Sequence, residues 1–147
     1  MPSDEPPFAL TMPSDLRLLP LARAFLETAC LNLGCDQPTS DAILLAVNEA
    51  LQNVIRHAHR DRPDTPLQLQ CHPTPDGLIV SILDQGEPFD LSSVPPLDPS
   101  ELRIGGRGVF LMRKLMDELE NRPRPCGGNL LRMVKRFPAE VRRPRAG

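Results

Sequence analysis

The chain has 147 residues, a net charge of −2 and 40% apolar content, with five Phe and neither Trp nor Tyr. That length suits one domain able to bury about 68–70% of the surface its unfolded chain exposes, around a core of aliphatic side chains and Met. The charge excludes a global attraction to nucleic acid or an anionic membrane. No apolar run approaches the ~18 residues of a membrane span, and no basic-then-apolar signal opens the chain, so cytoplasmic residence is expected.

In chain order, Met1 to Pro7 is polar and Pro-rich, the pattern of a disordered leader. Phe8-Ala-Leu-Thr-Met12 has strand character, and Pro13-Ser14-Asp15 offers a helix start. Leu16, Leu19, Ala22, Ala24, Phe25, Leu26 and Ala29 space a first helix, with Pro20 either in its opening turn or shortening it and Gly34 at its end. Ser40 to His59 reads as one amphipathic helix, because Ile43, Leu44, Val47, Ala50, Leu51, Val54 and Ala58 recur at three- and four-residue steps. Thr39 or Ser40 is the expected cap. Glu49 and Asn53 stand one turn apart on a shared face, and His57 extends that row.

Arg60 to Pro66 is a charged loop. Leu67-Gln-Leu-Gln-Cys71 alternates as a half-buried strand, and Asp76-Gly77 signals a hairpin into the strand Leu78 to Leu83. That strand runs into Asp84-Gln-Gly86. Leu91 to Arg103, interrupted by Pro95, Pro96 and Pro99, reads as a flap. Gly105, Gly106 and Gly108 then open a third helix, expected to run from Gly108 to Leu119. Pro123 to Gly128 makes a turn, Asn129 to Arg136 a last strand, and Pro138 to Gly147 a basic Pro-rich tail. The order β-α-α-β-β-α-β implies a two-layer α/β sandwich, a mixed sheet with helices on one face. Cys30, Cys35, Cys71 and Cys126 lack CxxC spacing, so small apolar residues are expected there rather than disulfides or, with His57, His59 or His72, a zinc site.

Three segments carry chemistry. A carboxylate at the end of a buried strand, as Asp84 is, accepts a hydrogen bond from an exocyclic amine, and Gly86 lets backbone approach a flat ring. The glycines before the third helix leave free amides and the helix dipole to face an anion. Neither GxxxxGK[ST] nor GxGxxG occurs, so any phosphate cradle is of another design. Taken singly, each segment also fits a surface helix face or an ordinary turn.

Together, Glu-Ala-Leu-Gln-Asn-Val-Ile-Arg-His57, Asp84-Gln-Gly-Glu-Pro-Phe-Asp90 and Gly105-Gly-Arg-Gly-Val-Phe-Leu-Met112 resemble the N, G1 and G2 boxes of the GHKL-type (Bergerat) ATP-binding fold. In detail they look most like the anti-sigma-factor serine kinases, the RsbW-like group, over roughly Phe8 to Phe137. The resemblance implies a histidine kinase-like ATPase domain over residues 8–137 that uses ATP and Mg²⁺. It implies Glu49 as general base and Asn53 as a Mg²⁺ ligand. A nucleotide site would draw on Asn53, His57, Asp84, Gly86, Phe89, Arg103, Gly105, Gly106, Arg107, Gly108 and Val109. It further implies a homodimer that sequesters a sigma factor and phosphorylates a serine on a STAS-type anti-anti-sigma antagonist. Two other readings stand beside it: a nucleotide-gated binding module without turnover, and the ATPase half of a histidine kinase, disfavoured because no phospho-accepting helix precedes. Val109 replaces the usual Leu or Ile. Gly128-Asn129 replaces a common Gly-Thr pair, which puts a supporting hydroxyl contact in doubt.

Overall fold

The computed structural model describes residues 7–60, 62–87 and 107–138, with Arg107 described by its backbone alone. The expected leader through residue 6, the flap and the tail beyond residue 138 lie outside the described residues. Among the described residues five strands, β1 (Phe8–Pro13), β2 (Pro66–Thr74), β3 (Gly77–Leu83), β4 (Glu118–Pro123) and β5 (Asn129–Arg136), form one sheet in the order β1-β2-β3-β5-β4. Three helices, α1 (Leu19–Asn32), α2 (Gln37–Asn53) and α3 (Arg107–Leu115), make the second layer.

Alternation along the strands decides which face is covered. Leu69 and Cys71 of β2 lie in register with Ile82 and Val80 of β3 and with Leu131 and Met133 of β5, and Leu67 with Met12 of β1. These residues join Leu26, Ile43, Val47, Ala50 and Met112 from the helices in one buried core. Each fully buried Leu, Ile or Met contributes roughly 1.5–3 kcal/mol. The opposite face carries a cross-strand row of Gln70, Ser81, Arg132 and Glu120.

The two-layer sandwich is as expected, but every pair of neighbouring strands is antiparallel, where a mixed sheet was expected. The cause is topological. Two helices in succession return the chain to the end of the sheet it left, so β2 runs against β1. The single helix α3 does carry the chain into a strand parallel to β3, but β5 inserts between them.

Three boundaries also differ from expectation. Helix α2 starts at Gln37 because Asp36 caps it, its Oδ1 accepting from the Thr39 N–H at 3.0 Å. Thr39 is buried inside the first turn, so neither it nor Ser40 is the cap. After Asn53 the helix widens into a π turn over Val54–Ala58, closed by the His59 N–H on the Val54 carbonyl at 2.8 Å. Helix α3 stops at Leu115, whose carbonyl accepts from Lys135 Nζ at 2.7 Å, and Glu118–Pro123 becomes strand β4. Past Met116 only Leu119 continues an apolar stripe, while pairing with β5 satisfies the backbone of the whole segment.

Candidate functional site

Strand β3 ends by delivering Asp84 into a buried position, 4% exposed. Its Oδ1 accepts from the Gly86 N–H at 2.8 Å, the Asn129 N–H at 3.2 Å and the Asn129 side-chain amide at 3.1 Å. Among the described residues Oδ2 accepts nothing, yet it is not sealed from solvent. One face of the carboxylate is thus fixed by protein donors and the other is left for an external N–H.

Asn129 does more than support Asp84. Its Nδ2 also donates to the Glu87 carbonyl at 2.7 Å, and its Oδ1 accepts from Asn121 Nδ2 at 3.1 Å. The contact put in doubt by the missing Thr is therefore made by a carboxamide. Gly128 beside it has φ +87°, and a Cβ there would lie 2.0 Å from the Asp84 carbonyl oxygen. Arg124 donates to that same oxygen at 2.8 Å. The sequence marked Asn129 only as a departure from the Gly-Thr pair and gave no sign of its bond to Asp84.

The three motif segments come together around α2. A Cβ on Gly86 would meet the Ala58 Cβ at 2.5 Å and the Ala58 carbonyl oxygen at 2.7 Å, so the turn after β3 packs directly on the end of the π turn. A Cβ on Gly108 would meet Asn53 Nδ2 at 3.1 Å and Glu49 Oε2 at 3.3 Å. The start of α3 thus lies against the two polar side chains singled out on α2. Glu49 and Asn53 are half-buried, which leaves both reachable. Val109 turns away into the core, 4% exposed. Phe89, Arg103, Gly105 and Gly106 lie outside the described residues, as does the side chain of Arg107.

The two histidines that end the helix have opposite fates. His57 is exposed, with no hydrogen bond among the described residues. His59 is buried, because the extra residue of the π turn rotates it inward, and it is 3% exposed. Its Nδ1 lies 2.5 Å from Ser14 Oγ, and its Nε2 accepts from the Gln85 N–H at 2.9 Å. Burial holds its pKa below the ordinary 6.5, against the pull of the Asp84 carboxylate. Beside it lies a cavity of about 260 Å³ bounded by Ala58, His59, Arg60, Arg62, Gly86 and Glu87. Uniform helical periodicity pointed to His57, and only the π turn brings in His59.

A model of the histidine kinase-like ATPase domain matches residues 12–135. This chain belongs to that family. Within it, the chain is RsbW-like: it is 29% identical over 119 residues to the serine-protein kinase RsbW of Listeria innocua, covering 76% of each chain. It is 32% identical to the RsbW of Halalkalibacterium halodurans, covering 76% of this chain and 72% of the relative. The fold is also that of the crystal structure of the SiaB–SiaC complex from Pseudomonas aeruginosa, at a TM-score of 0.63 and 12% identity over 89% of this chain and 90% of that one. The structure of the RsbU and RsbW domains of Rv1364c from Mycobacterium tuberculosis matches at 0.60 and 15% identity. That match covers 90% of this chain, which spans about a third of the larger protein (32%). Among the described residues no helix of this RsbW-like protein is long and apolar enough to cross a membrane.

Proposed function

We propose that this RsbW-like protein is an ATP-dependent serine kinase that phosphorylates a STAS-type anti-anti-sigma antagonist and, in its other state, holds a sigma factor. The observation that carries the reading is the packing of Gly108 against Glu49 and Asn53, with Asp84 offering a free acceptor on the neighbouring segment. Family membership and the RsbW relatives support it independently.

In this reading Asp84 Oδ2 accepts from the adenine amine, and the missing Cβ of Gly86 lets the turn that carries Asp84 pack on Ala58. Glu49 takes the proton of the incoming serine hydroxyl as its oxygen bonds to the γ-phosphorus and the bond to the β-phosphate oxygen breaks, releasing ADP. The amides at the start of α3, with Gly105, Gly106 and the side chains of Arg103 and Arg107, would bind phosphate oxygens. Phe89 and His57 belong to the same proposal as flanking contacts.

The donor set fits Mg²⁺ bound with the nucleotide. Asn53 offers a neutral oxygen beside Glu49, and among the described residues no three His, Cys, Asp or Glu side chains gather as a dedicated cage. Such a cation, when bound, neutralises phosphate charge and takes most of its ligands from phosphate and water. A homodimer is part of the proposal, checked by light scattering on the purified chain.

The test is transfer of label from γ-labelled ATP to a STAS protein. Transfer by the wild type that is lost in Glu49→Ala and Asn53→Ala supports the kinase reading. ATP binding with equal, negligible transfer in all three makes the protein a nucleotide-gated adaptor instead.

A further inference from the structure

His59 joins three stretches that the sequence keeps far apart. It leaves the π turn at the end of α2, reaches Ser14 just past β1, and holds the backbone of Gln85 immediately after Asp84. The Ser14 N–H in turn donates to the Thr65 carbonyl at 3.2 Å, which fixes the hydroxyl's position. The directions of these bonds settle the state of the ring. An amide N–H can only donate, so Nε2 must carry a lone pair. The ring proton then sits on Nδ1 and points to the Ser14 oxygen. An imidazolium has no acceptor, and its Nε2–H would oppose the Gln85 N–H at 2.9 Å.

Gln85 lies between Asp84, the acceptor for the base, and Gly86, whose backbone presses on Ala58. Nothing in that turn moves alone: the Gly86 N–H is bonded to Asp84 Oδ1 at 2.8 Å. We infer that His59 is a positioning residue of the nucleotide site: as the neutral Nδ1–H form it clamps the Gln85 amide, sets the aim of Asp84, and releases both when the ring takes a second proton. This rests on the reading of Asp84 as the base acceptor.

The charges around the ring come from several elements. The Asp84 carboxylate, at the end of β3, favours the protonated ring. Arg60 and Arg62 bound the adjoining cavity and oppose a further cation, while Glu87 on its other wall acts the other way. Asp15, next to Ser14, is committed to Arg17 through its backbone N–H and guanidinium. Burial of the ring adds to the preference for the neutral form.

His59→Gln separates the clamp from the proton switch, since a carboxamide can accept from Gln85 and donate to Ser14 at any pH. The first measurement is amide-exchange protection at Gln85 in nucleotide-free protein between pH 5 and 8. Protection should fall on acidification in the wild type and stay level in the Gln variant. The second is ATP affinity by calorimetry over the same range, taken as the ratio of the two proteins so that titration of the nucleotide cancels. That ratio should fall up to tenfold per pH unit on the acid side and reach a plateau near neutrality. Identical pH profiles for the two proteins, in exchange or in affinity, overturn the inference. If neither protein binds ATP, the nucleotide reading fails while exchange at Gln85 still decides the clamp. Should His59→Gln not fold, ring ¹⁵N shifts of the wild type at pH 7.5 decide: a protonated Nδ1 with a bare Nε2 supports the assignment, and the opposite tautomer overturns it.

Discussion

Asp84 and Asn129 are 45 positions apart, and the proposed base-recognition end of the site rests on their contact. Asp84→Asn replaces an acceptor-only group by one that can present N–H₂ to a donor. A hydrogen bond to a charged group is worth about 1.5–3 kcal/mol, so ATP affinity should drop roughly ten- to a hundredfold in calorimetry. Asn129→Ala removes two donated bonds without touching the ligand face of Asp84. It should cost about 1–3 kcal/mol in urea unfolding as well as ATP affinity, and an unchanged unfolding midpoint would argue that the carboxamide is idle. The thiols test burial in the same way. Cys126 is exposed, whereas Cys71 is fully buried and burial pushes its thiol up to about 12. Iodoacetamide at pH 8 should therefore label Cys126 in the native protein and reach Cys71 only after unfolding, as read by mass spectrometry.

At the level of elements, the strands β1, β2, β3 and β5 and the first two helices were legible, because alternation and helical spacing are written in residues such as Leu67, Leu69, Ile43 and Val47. What escaped depends on partners distant in sequence. Strand β4 exists because β5 lies beside it, and Glu118-Leu-Glu-Asn-Arg-Pro123 carries little apolar pattern of its own. The π turn escaped because hydrophobic spacing assumes a constant 3.6-residue period. The extra residue turns His59 inward and leaves His57 exposed, an arrangement that constant spacing does not show. Asp36 was passed over as a cap because Pro38 masked the helix start, although Pro in a first turn is favourable. Asp36→Ala should cost about 1 kcal/mol, lowering the melting temperature by a few degrees with ATP affinity unchanged. Gly86→Ala should behave differently. Its Cβ would sit 2.5 Å from that of Ala58, so β3's exit and the π turn must part. Overpacking of this kind costs about 1–3 kcal/mol, and here nucleotide binding should be lost together with stability.

For the molecule as a whole, acid is the condition to which the fold is most exposed through His59. The ring is neutral in the folded state with a pKa lowered from 6.5, and on unfolding it regains its ordinary proton affinity. Unfolding therefore takes up a proton once pH falls below about 6.5, and this contribution to stability, complete above that value, is lost as pH falls through the folded-state pKa. Urea midpoints should be lower at pH 5.5 than at 7.5, with a slope of up to about 1.4 kcal/mol per pH unit, and His59→Gln should flatten the difference.

The antiparallel order of the sheet also sorts its two ends. Strand β1 begins, and β5 finishes, at the end marked by the Pro75–Asp76 hairpin, since Phe8 is level with Cys71 and Arg136 with Gly77. Asp84 lies at the far end of β3, about 20 Å away at some 3.3 Å per strand residue. A fluorophore attached at Phe8 or at Arg136 therefore sits at the end of the sheet remote from the proposed nucleotide site, and two such labels, three strands apart, are close enough for energy transfer.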